Sequence, residues 1–350
     1  MAKTIVGVDI GSSKVRAVEV ADADKARPTL LRYHELDVPE GAVSRGEVLE
    51  PNTVGTLLKQ LWAAGGFKSK RIVLGMGNQR VLARDLSVPT APRDRIRESL
   101  PFVVQDMLPV PVQDALLDFY PISESVTEQG AMTNGLLIAA VKEAVLGNVK
   151  AARLAGLTPV DVDLIPFALD RVLLSRPKVP GTVALVDVGA NTTSVVIASN
   201  GFPQFVRIIP TGGAEITTAL AARLEVPLAE AERHKRAYGL ANTVSSAEEQ
   251  RIVSTIYEVV SELLASLRNT ITYFSNTRPS DPVTHIVVTG GGAQLPGFAN
   301  ILGEYTRIPV TPGNPFAAVA LSRGLNAEDL RARQSSITVA LGLAIGSAAA

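Results

Sequence analysis

The chain has 350 residues, which is too long for one small domain and predicts two or more lobes. Apolar residues make up 46% of the sequence and charged residues 19%, so the composition excludes an intrinsically disordered protein and allows a large core. The 34 lysines and arginines balance the 34 aspartates and glutamates, which argues against nonspecific binding to nucleic acid or anionic lipid.

The sequence also limits the kinds of metal site and nucleophile. Cysteine is absent, which excludes disulfides, thiolate zinc sites, iron–sulfur clusters and cysteine nucleophiles. The histidines, His34, His234 and His285, are far apart, so we do not expect a histidine-rich metal centre. Asp9 interrupts the first apolar run too early for a secretory signal, and no window has the roughly 18 apolar residues of a membrane span. We therefore expect a cytosolic protein.

Strand and helix signals alternate in the amino-terminal part of the chain, which favours an α/β fold. A helix is predicted over residues 51–64, because Pro51 suits a first helical turn and Leu58 and Leu61 share one apolar face. Gly65 and its neighbouring glycine end this helix. Buried strands are predicted at residues 4–9, 15–20, 29–34 and 71–75.

Prolines interrupt the segment that follows. A helix is predicted to start at Pro92, to kink near Pro101 and to end before Pro109, and an extended piece starts at Asp118. Because this texture differs from that of its surroundings, we interpret residues 79–135 as a small inserted subdomain.

The opening pattern recurs later in the chain. Residues 183–189 parallel residues 5–11: each segment is an apolar strand that ends in Asp-x-Gly, and a polar turn and a second apolar strand follow. The two copies are too far apart for a solenoid repeat, so they indicate two similar lobes. The remaining predicted elements are strands at residues 136–141, 194–198, 204–209 and 285–289 and helices at residues 142–155, 213–224, 228–238 and 249–274.

Asp9 and Asp187 end the two repeated strands. A carboxylate at the end of a buried strand is costly unless a cation or hydrogen bonds compensate it. The glycine two residues later lets the chain turn tightly, so that successive N–H groups converge on one point and bind phosphate, while the aspartate can hold Mg²⁺ through water. One copy is explained by a simple strand-end hairpin. Two copies in corresponding positions favour facing loops that clamp a polyphosphate.

Two further segments suit a nucleotide but are weak signals alone. Residues 290–292, three glycines after a predicted strand, let the backbone approach a flat ligand closely, and a helix is expected near Pro296. A plain strand-to-helix loop explains them equally well. Glu232 and Lys235 lie on one helix face, as a solvated ion pair also would.

Other nucleotide motifs fail on inspection. Residues 41–46 have the glycine spacing of a P-loop, but Glu47 stands where lysine is required. Residues 75–77 begin a dinucleotide fingerprint, but Arg80 occupies the third glycine position. The sequence also lacks the Gly-x-Ser-x-Gly elbow of one class of hydrolase.

Together, the two Asp-x-Gly segments, the glycine run and the Glu-x-x-Lys helix resemble the actin-like ATPase superfamily, which includes actin, Hsp70, sugar kinases, FtsA and MreB. The resemblance implies a two-lobed actin-like (ribonuclease H-like) α/β fold that binds ATP with Mg²⁺, held through water by Asp9 and Asp187. The nucleotide-binding residues that it implies are Gly11, Ser12, Ser13 and Arg16 in a first phosphate loop, Gly189, Ala190, Asn191 and Thr192 in a second, Gly213 at the opening of a helical subdomain, Glu232 and Lys235 near ribose and adenine, and Gly290, Gly291, Gly292 and Leu295 in an adenosine motif.

Within the superfamily, the sequence is most similar to the PilM family of type IV pilus assembly. The insert then resembles the SHS2-type extra subdomain of FtsA and PilM. Two features depart from the family pattern: Arg16 stands where lysine is usual, and residues 105–110 lack the usual acidic-aromatic stretch that ends in Pro-Phe. The matching segments are residues 6–13, 16–19, 39–41, 116–119, 155–157, 235–239, 314–316 and 340–344.

The resemblance divides the chain into four parts. They are a first lobe core at residues 1–78, 136–180 and 333–350, the insert at residues 79–135, a second lobe core at residues 181–212 and 283–332, and a helical subdomain at residues 213–282.

The resemblance implies an ATP-binding scaffold at the cytoplasmic face of the membrane. The cytoplasmic amino-terminal tail of PilN would recruit it there and would lie in a groove between the first lobe and the insert. PilO, the pilus motor ATPases and further copies of the chain are additional candidate partners, whereas no nucleic acid and no direct membrane contact are expected. Efficient hydrolysis needs a group that orients water. Glu143 is the nearest candidate in sequence, although it also suits an ordinary helix start, so the catalytic residue stays unknown and slow ATPase activity at most is expected.

Two other functions are left open. An FtsA-like division protein that polymerises at the membrane usually ends in a basic amphipathic helix, and residues 346–350 have no basic face. A sugar or acetate kinase would need a polar cleft for a second substrate. The apolar stripe along residues 252–274 neither supports nor excludes such a cleft.

Overall fold

The computed structural model describes residues 4–128, 130–241 and 243–346. The strands are β1 (Thr4–Ile10), β2 (Lys14–Ala21), β3 (Thr29–Asp37), β4 (Val43–Ser44), β5 (Glu47–Val48), β6 (Arg71–Met76), β7 (Val81–Pro89), β8 (Ala115–Thr127), β9 (Gly130–Val141), β10 (Thr158–Leu164), β11 (Thr182–Val188), β12 (Thr193–Ser199), β13 (Phe202–Ile209), β14 (His285–Thr289), β15 (Val310–Pro312) and β16 (Ala320–Leu321). The α-helices are α1 (Pro51–Gly65), α2 (Arg93–Val103), α3 (Lys142–Leu154), α4 (Ile165–Asp170), α5 (Gly213–Leu224), α6 (Leu228–Tyr238), α7 (Ala247–Thr277), α8 (Phe298–Thr306), α9 (Ala327–Ala332) and α10 (Gln334–Ala344).

Two mixed sheets are built on the same plan. The strand order is β10-β6-β1-β2-β3-β16 in the first sheet and β13-β12-β11-β14-β15 in the second. β1 pairs antiparallel with β2 and parallel with β6, and β11 pairs in the same way with β12 and β14. The predicted α/β class and the predicted repeat are therefore confirmed.

Helix α1 shows how closely local signals fix an element. Pro51 occupies its first turn, and Leu57, Leu58 and Leu61 are buried on one face. The helix ends where Gly66 adopts a left-handed conformation with φ of 63°. It packs against α3, which follows the prediction for residues 142–155 to within one residue.

Helix α7 begins two residues earlier than predicted because its start is capped, and it ends at Thr277, three residues later than predicted. The Ser246 hydroxyl accepts a hydrogen bond from the Glu249 N–H, and the Glu249 carboxylate accepts one from the Ser245 N–H. These two bonds resemble a capping box, with the Glu249 carboxylate bonded to the residue before the N-cap, and they let the helix begin at Ala247. The apolar stripe predicted along residues 252–274 packs against the second sheet, in a core that also contains residues of β11, β12 and β14.

The strands of residues 79–135 were predicted wrongly, because the prolines of this segment suggested short, interrupted elements. β7 was not predicted, and β9 begins at Gly130 and runs continuously through residue 135. Pro89 is the last residue of β7, and Pro121 lies at a register shift in the edge strand β8, two places where a missing N–H is tolerated. The resulting sheet, β7-β9-β8, carries α2 on a small core of its own, formed by Val88, Ile96, Leu100, Val104, Phe119 and Leu137.

Helix α10 joins the two halves of the molecule. It is buried from Ile337 to Ala344 and packs on β1, β2 and α4. Gly7 of β1 faces it: a Cβ at this position would overlap the Ala340 carbonyl oxygen and lie 2.6 Å from the Ala344 nitrogen. Within the described ranges, no helix is both long enough and apolar enough to cross a membrane.

Replacement of Gly7 by alanine is expected to destabilise the protein. The new methyl group would force α10 away from β1, at a cost of about 1–3 kcal/mol in the free energy of unfolding. Gly324→Ala is the matched control, since a Cβ there has no atom within 4 Å, and we expect a change within roughly 0.5 kcal/mol. Urea unfolding measures both variants, and equal effects would contradict the close-contact argument.

Candidate functional site

A cleft of about 760 Å³ is lined by residues from both sheets. Ligands of open α/β sheets characteristically bind at the carboxyl ends of the strands, and β1, β11 and β14 all end here. The structure brings all of the predicted nucleotide and metal residues to this cleft: Asp9, Gly11, Ser12, Ser13, Arg16, Asp187, Gly189, Ala190, Asn191, Thr192, Gly213, Glu232, Lys235, Gly290, Gly291, Gly292 and Leu295.

Glu143, the candidate catalytic residue, is not among the cleft-lining residues. It lies in the first turn of α3 and is exposed to solvent. This position suits the alternative interpretation, an ordinary acidic residue at a helix start.

The two Asp-x-Gly turns have the same backbone bonding. The Gly11 N–H donates to the Lys14 carbonyl at 3.0 Å, and the Gly189 N–H donates to the Thr192 carbonyl at 2.9 Å. Each bond closes a tight turn and leaves the N–H groups at its tip without a partner among the residues described. Successive free N–H groups of this kind form a concave anion site. The free groups belong to Ser12, Ser13, Ala190 and Asn191.

The two aspartates differ in their partners. Asp9 stands opposite Arg16 in the strand register and forms an ion pair with its Nη1 at 3.1 Å, whereas Asp187 stands opposite Ser194. Burial raises the pKa of Asp9, and Arg16 opposes that rise. Burial and the charge of Asp9 raise the pKa of Asp187 to about 7. Two neighbouring carboxylates thus share one counter-cation, an arrangement that favours a further cation.

The donor set fits magnesium better than zinc or calcium. Among residues 4–128, 130–241 and 243–346, no cluster of three or more histidine, aspartate or glutamate side chains could hold a metal ion alone. Mg²⁺ usually keeps several waters and binds through one or two carboxylates together with substrate phosphates. Asp9 and Asp187, placed beside the two turns, match that requirement.

Glu232 and Lys235 form a half-buried, hydrogen-bonded cluster rather than a freely solvated pair. The Lys235 side chain is 14% exposed, its Nζ lies 2.6 Å from Glu232 Oε2, and it donates to the Gly213 carbonyl at 3.0 Å. The Thr217 hydroxyl bonds to both side chains. Burial raises the pKa of Glu232, but hydrogen bonds from Lys235 and Thr217 lower it below its usual value. A fixed charged pair therefore stands on the α5–α6 wall of the cleft.

Gly290 must be a glycine for β14 to end beside Asp187. Its φ is +90°, and a Cβ would overlap the Val188 carbonyl oxygen and lie 2.6 Å from Asp187 Oδ1. No atom lies within 4 Å of the corresponding position on Gly291, so the backbone there is open to a flat ligand. The helix expected near Pro296 begins two residues later, as α8.

Several cleft residues escaped the sequence analysis. The segments rejected as a P-loop and as a dinucleotide fingerprint contribute Gly46, Gly75 and Gly77. The Gly46 N–H donates to the Ser12 hydroxyl at 3.1 Å. The sequence signal for Gly75 and Gly77 was their place at the end of a predicted strand. This strand, β6, is parallel to β1, so both strands end at the same edge of the sheet. Ser335, on α10, had no local signal.

The sequence model of the family described as type IV pilus assembly protein PilM matches residues 7–348. The chain belongs to the PilM family. It is also similar to a chain in the solved structure of a PilM–PilN type IV pilus biogenesis complex, with 29% identity, a TM-score of 0.88 and 99% of each chain covered. The predicted family and the predicted function in type IV pilus assembly are therefore confirmed.

The chain is also similar to FtsA in sequence and to MreB5 in fold. The cell division protein FtsA of Bacillus subtilis is 23% identical over 347 residues, which cover 89% of this chain and 78% of FtsA. MreB5 of Spiroplasma citri, solved with AMPPNP bound, is 11% identical with a TM-score of 0.54, and 98% of this chain and 95% of MreB5 are covered. The predicted two-lobed actin-like fold is confirmed.

Asp187→Asn is expected to stabilise the ligand-free protein at alkaline pH but not at acid pH. The folded pKa of about 7 exceeds the ordinary value of 3.8, so the wild type loses stability as pH rises between these values, and an amide does not titrate. The gain should be absent near pH 4 and reach roughly 2–4 kcal/mol near pH 8. Urea unfolding in EDTA measures it. Asp24→Asn, at an exposed turn, is the control, and equal gains at both pH values would refute the explanation.

Proposed function

We propose that the chain is an ATP-binding scaffold that couples a nucleotide cleft to a peptide groove during type IV pilus assembly. The observation that carries the proposal is the similarity, over 99% of both chains, to a chain of a PilM–PilN complex. The cleft and its free backbone donors support the nucleotide part.

We assign the parts of the actin-like fold along the chain as follows. The first lobe core is residues 1–78, 136–180 and 333–350, the insert is residues 79–135, the second lobe core is residues 181–212 and 283–332, and the helical subdomain is residues 213–282. Residues 1–3, 129, 242 and 347–350 lie outside the described residues.

The two turns would hold the phosphates of ATP between the lobes. Their free N–H groups and the Arg16 guanidinium supply hydrogen bonds and charge, and Asp9 and Asp187 would hold Mg²⁺ through water. Bound Mg²⁺ neutralises phosphate charge. Glu232, held in place by Lys235, would accept a hydrogen bond from a ribose hydroxyl, and the open backbone of residues 290–292 would receive the adenine.

Nucleotide binding rather than efficient hydrolysis is the proposed activity. Hydrolysis needs a group that orients water in line with the terminal phosphate. Glu143 does not line the cleft, and Glu232 is already bonded to Lys235 and Thr217. Slow turnover at most is expected, and the two states of the cleft would then persist long enough to regulate a partner.

The cytoplasmic tail of PilN would bind between the first lobe and the insert. Leu116 and Tyr120 lie on the face of the insert sheet that turns toward the rest of the molecule, and Tyr120 contacts Phe167 with ring centroids 4.8 Å apart. Leu116 stands opposite Ala140 in the strand register, two residues before α3 begins, and is 42% exposed. Leu146 on α3 is exposed as well, so apolar side chains on both sides are available to an apolar peptide.

Binding to PilN would place the protein at the inner face of the cytoplasmic membrane. PilO, the pilus motor ATPases and further copies of the chain remain candidate partners. An FtsA-like role in cell division is the second candidate, favoured by curated FtsA relatives such as that of Pseudomonas aeruginosa, 26% identical over 91% of this chain and 85% of FtsA. Residues 347–350, which lack the basic residues of an FtsA-type membrane helix, lie outside the described residues.

Leu116→Glu is expected to weaken binding of a peptide that copies the PilN tail by at least about tenfold, because a carboxylate would be buried against apolar groups. Val126→Glu is the matched control: it lies on the same strand, is 87% exposed and stands at the far end of β8. Calorimetric titration with and without Mg-ATP measures both affinities. Equal affinities for the two variants would contradict the groove. No peptide binding by the wild type, combined with flotation on anionic vesicles, would favour the division role.

Asp9→Ala is expected to lower the affinity for Mg-ATP by roughly tenfold or more while the fold is kept, because one of two metal-facing carboxylates is lost. Arg16 retains Glu35 as a neighbour, so it is not left without an anion. Titration with a fluorescent ATP analogue measures the affinity, and thermal unfolding checks the fold. Asp24→Ala is the surface control. Unchanged Mg-ATP affinity in a folded Asp9→Ala variant would refute the site assignment.

A further inference from the structure

Arg16 lies between two carboxylates, only one of which lines the cleft. Its Nη1 donates to Asp9 Oδ2 at 3.1 Å, and its Nε lies 3.5 Å from Glu35 Oε2. The Arg16 side chain is 17% exposed, and its Nε is buried without a hydrogen-bond partner. The guanidinium is thus bonded to Asp9 and holds a spare donor toward Glu35.

Glu35 is held in place from three sides. The Tyr33 hydroxyl donates to Glu35 Oε2 at 2.6 Å, and Oε1 lies 3.3 Å from Lys14 Nζ and 3.5 Å from an Nη of Arg333. Burial raises the pKa of Glu35, but the Tyr33 hydrogen bond and the charges of Lys14 and Arg16 lower it below its usual value. Glu35 is therefore an ionised and fixed acceptor behind Arg16.

The contact between Arg16 and Asp9 competes with a metal ion. A guanidinium and a divalent cation repel each other, and Asp9 Oδ2 is already engaged by Nη1. Asp9 keeps Oδ1 for Mg²⁺ held through water, but its Oδ2 becomes available to the metal only if Arg16 releases it. A second fixed anion makes that release less costly, because the guanidinium stays paired and need not be desolvated alone.

The chemistry of arginine suits this exchange. Its planar group carries donors at Nε and at both terminal nitrogens, so it can be held through one edge and still present others. A lysine at this position would carry all of its donors on one nitrogen, so contacts with both carboxylates would have to converge on a single point.

We propose that Glu35 is a positioning residue for Arg16: it holds the guanidinium through Nε when Asp9 serves Mg²⁺, and so leaves the terminal nitrogens to face phosphate. The inference rests on the proposed Mg-ATP function of the cleft. It adds a regulatory requirement, namely that the response of nucleotide affinity to magnesium depends on a residue that does not touch the nucleotide.

The test compares nucleotide affinity with and without magnesium in the full chain. The measured quantity is the magnesium enhancement, the ratio of the Kd for ATP in EDTA to the Kd in Mg²⁺. Glu35→Gln should lower this enhancement about tenfold, since Arg16 loses its second anion and stays on Asp9. The Kd in EDTA should change less than about twofold, because no nucleotide contact is removed.

Asp329→Asn is the matched control. Asp329 lies 3.1 Å from Arg333, which also contacts Glu35, so the variant removes one negative charge from the same network without touching Arg16. It should keep the magnesium enhancement of the wild type. Thermal unfolding of both variants checks that the comparison is made on folded protein.

A double-mutant cycle shows whether Glu35 acts through Arg16. In an Arg16→Met background, where no cation is left to position, Glu35→Gln should cause no further loss of magnesium enhancement. An additional loss there, or an unchanged enhancement in the single Glu35→Gln variant, would overturn the positioning role and leave the nucleotide site intact. A folded wild type that binds no nucleotide would instead refute the proposed function, and the positioning role with it.

Discussion

Helix α10 and β1 lie against each other with no side chain between their backbones, because the facing residue of the strand is Gly7. This contact sets the distance between α10 and the first sheet. The same helix packs on β2 and α4, and its Thr338 reaches Thr289 at the end of β14 in the second sheet. Its first turn, with Ser335 and Ser336, lines the cleft. A single close approach in the core therefore fixes one wall of the functional site.

The cleft could be predicted from sequence to the extent that its signals are local. Each Asp-x-Gly turn is predicted by a short local pattern: an apolar strand, a carboxylate at the strand end and a glycine that lets the chain turn. Because that pattern occurs twice, the pairing of Asp9 and Asp187 across the cleft could also be anticipated. The helix over residues 51–64 was equally local, since proline and glycine mark both of its ends.

The rest depended on contacts between distant segments. Glu35 reaches Arg16 only after β3 has paired with β2, and Arg333 reaches Glu35 only after the chain has returned at the start of α10. No residue spacing in the sequence predicts these contacts. In the insert, proline signals were read as breaks, whereas Pro121 sits at an irregularity in an edge strand where no ladder hydrogen bond is lost. Edge positions are set by the sheet as a whole and not by the residues that occupy them.

The two halves of the cleft repeat one backbone but not one electrostatic field. The register that places Arg16 opposite Asp9 places Ser194 opposite Asp187. A site with twofold symmetry of charge as well as of backbone would receive an elongated anion in either direction. In this protein the strand that follows the Asp9 turn carries a cation, Arg16, that the strand after the Asp187 turn lacks, so the two turns are not equivalent for a bound anion. The repeated backbone supplies the frame, and the difference between Arg16 and Ser194 at corresponding positions gives that frame a direction.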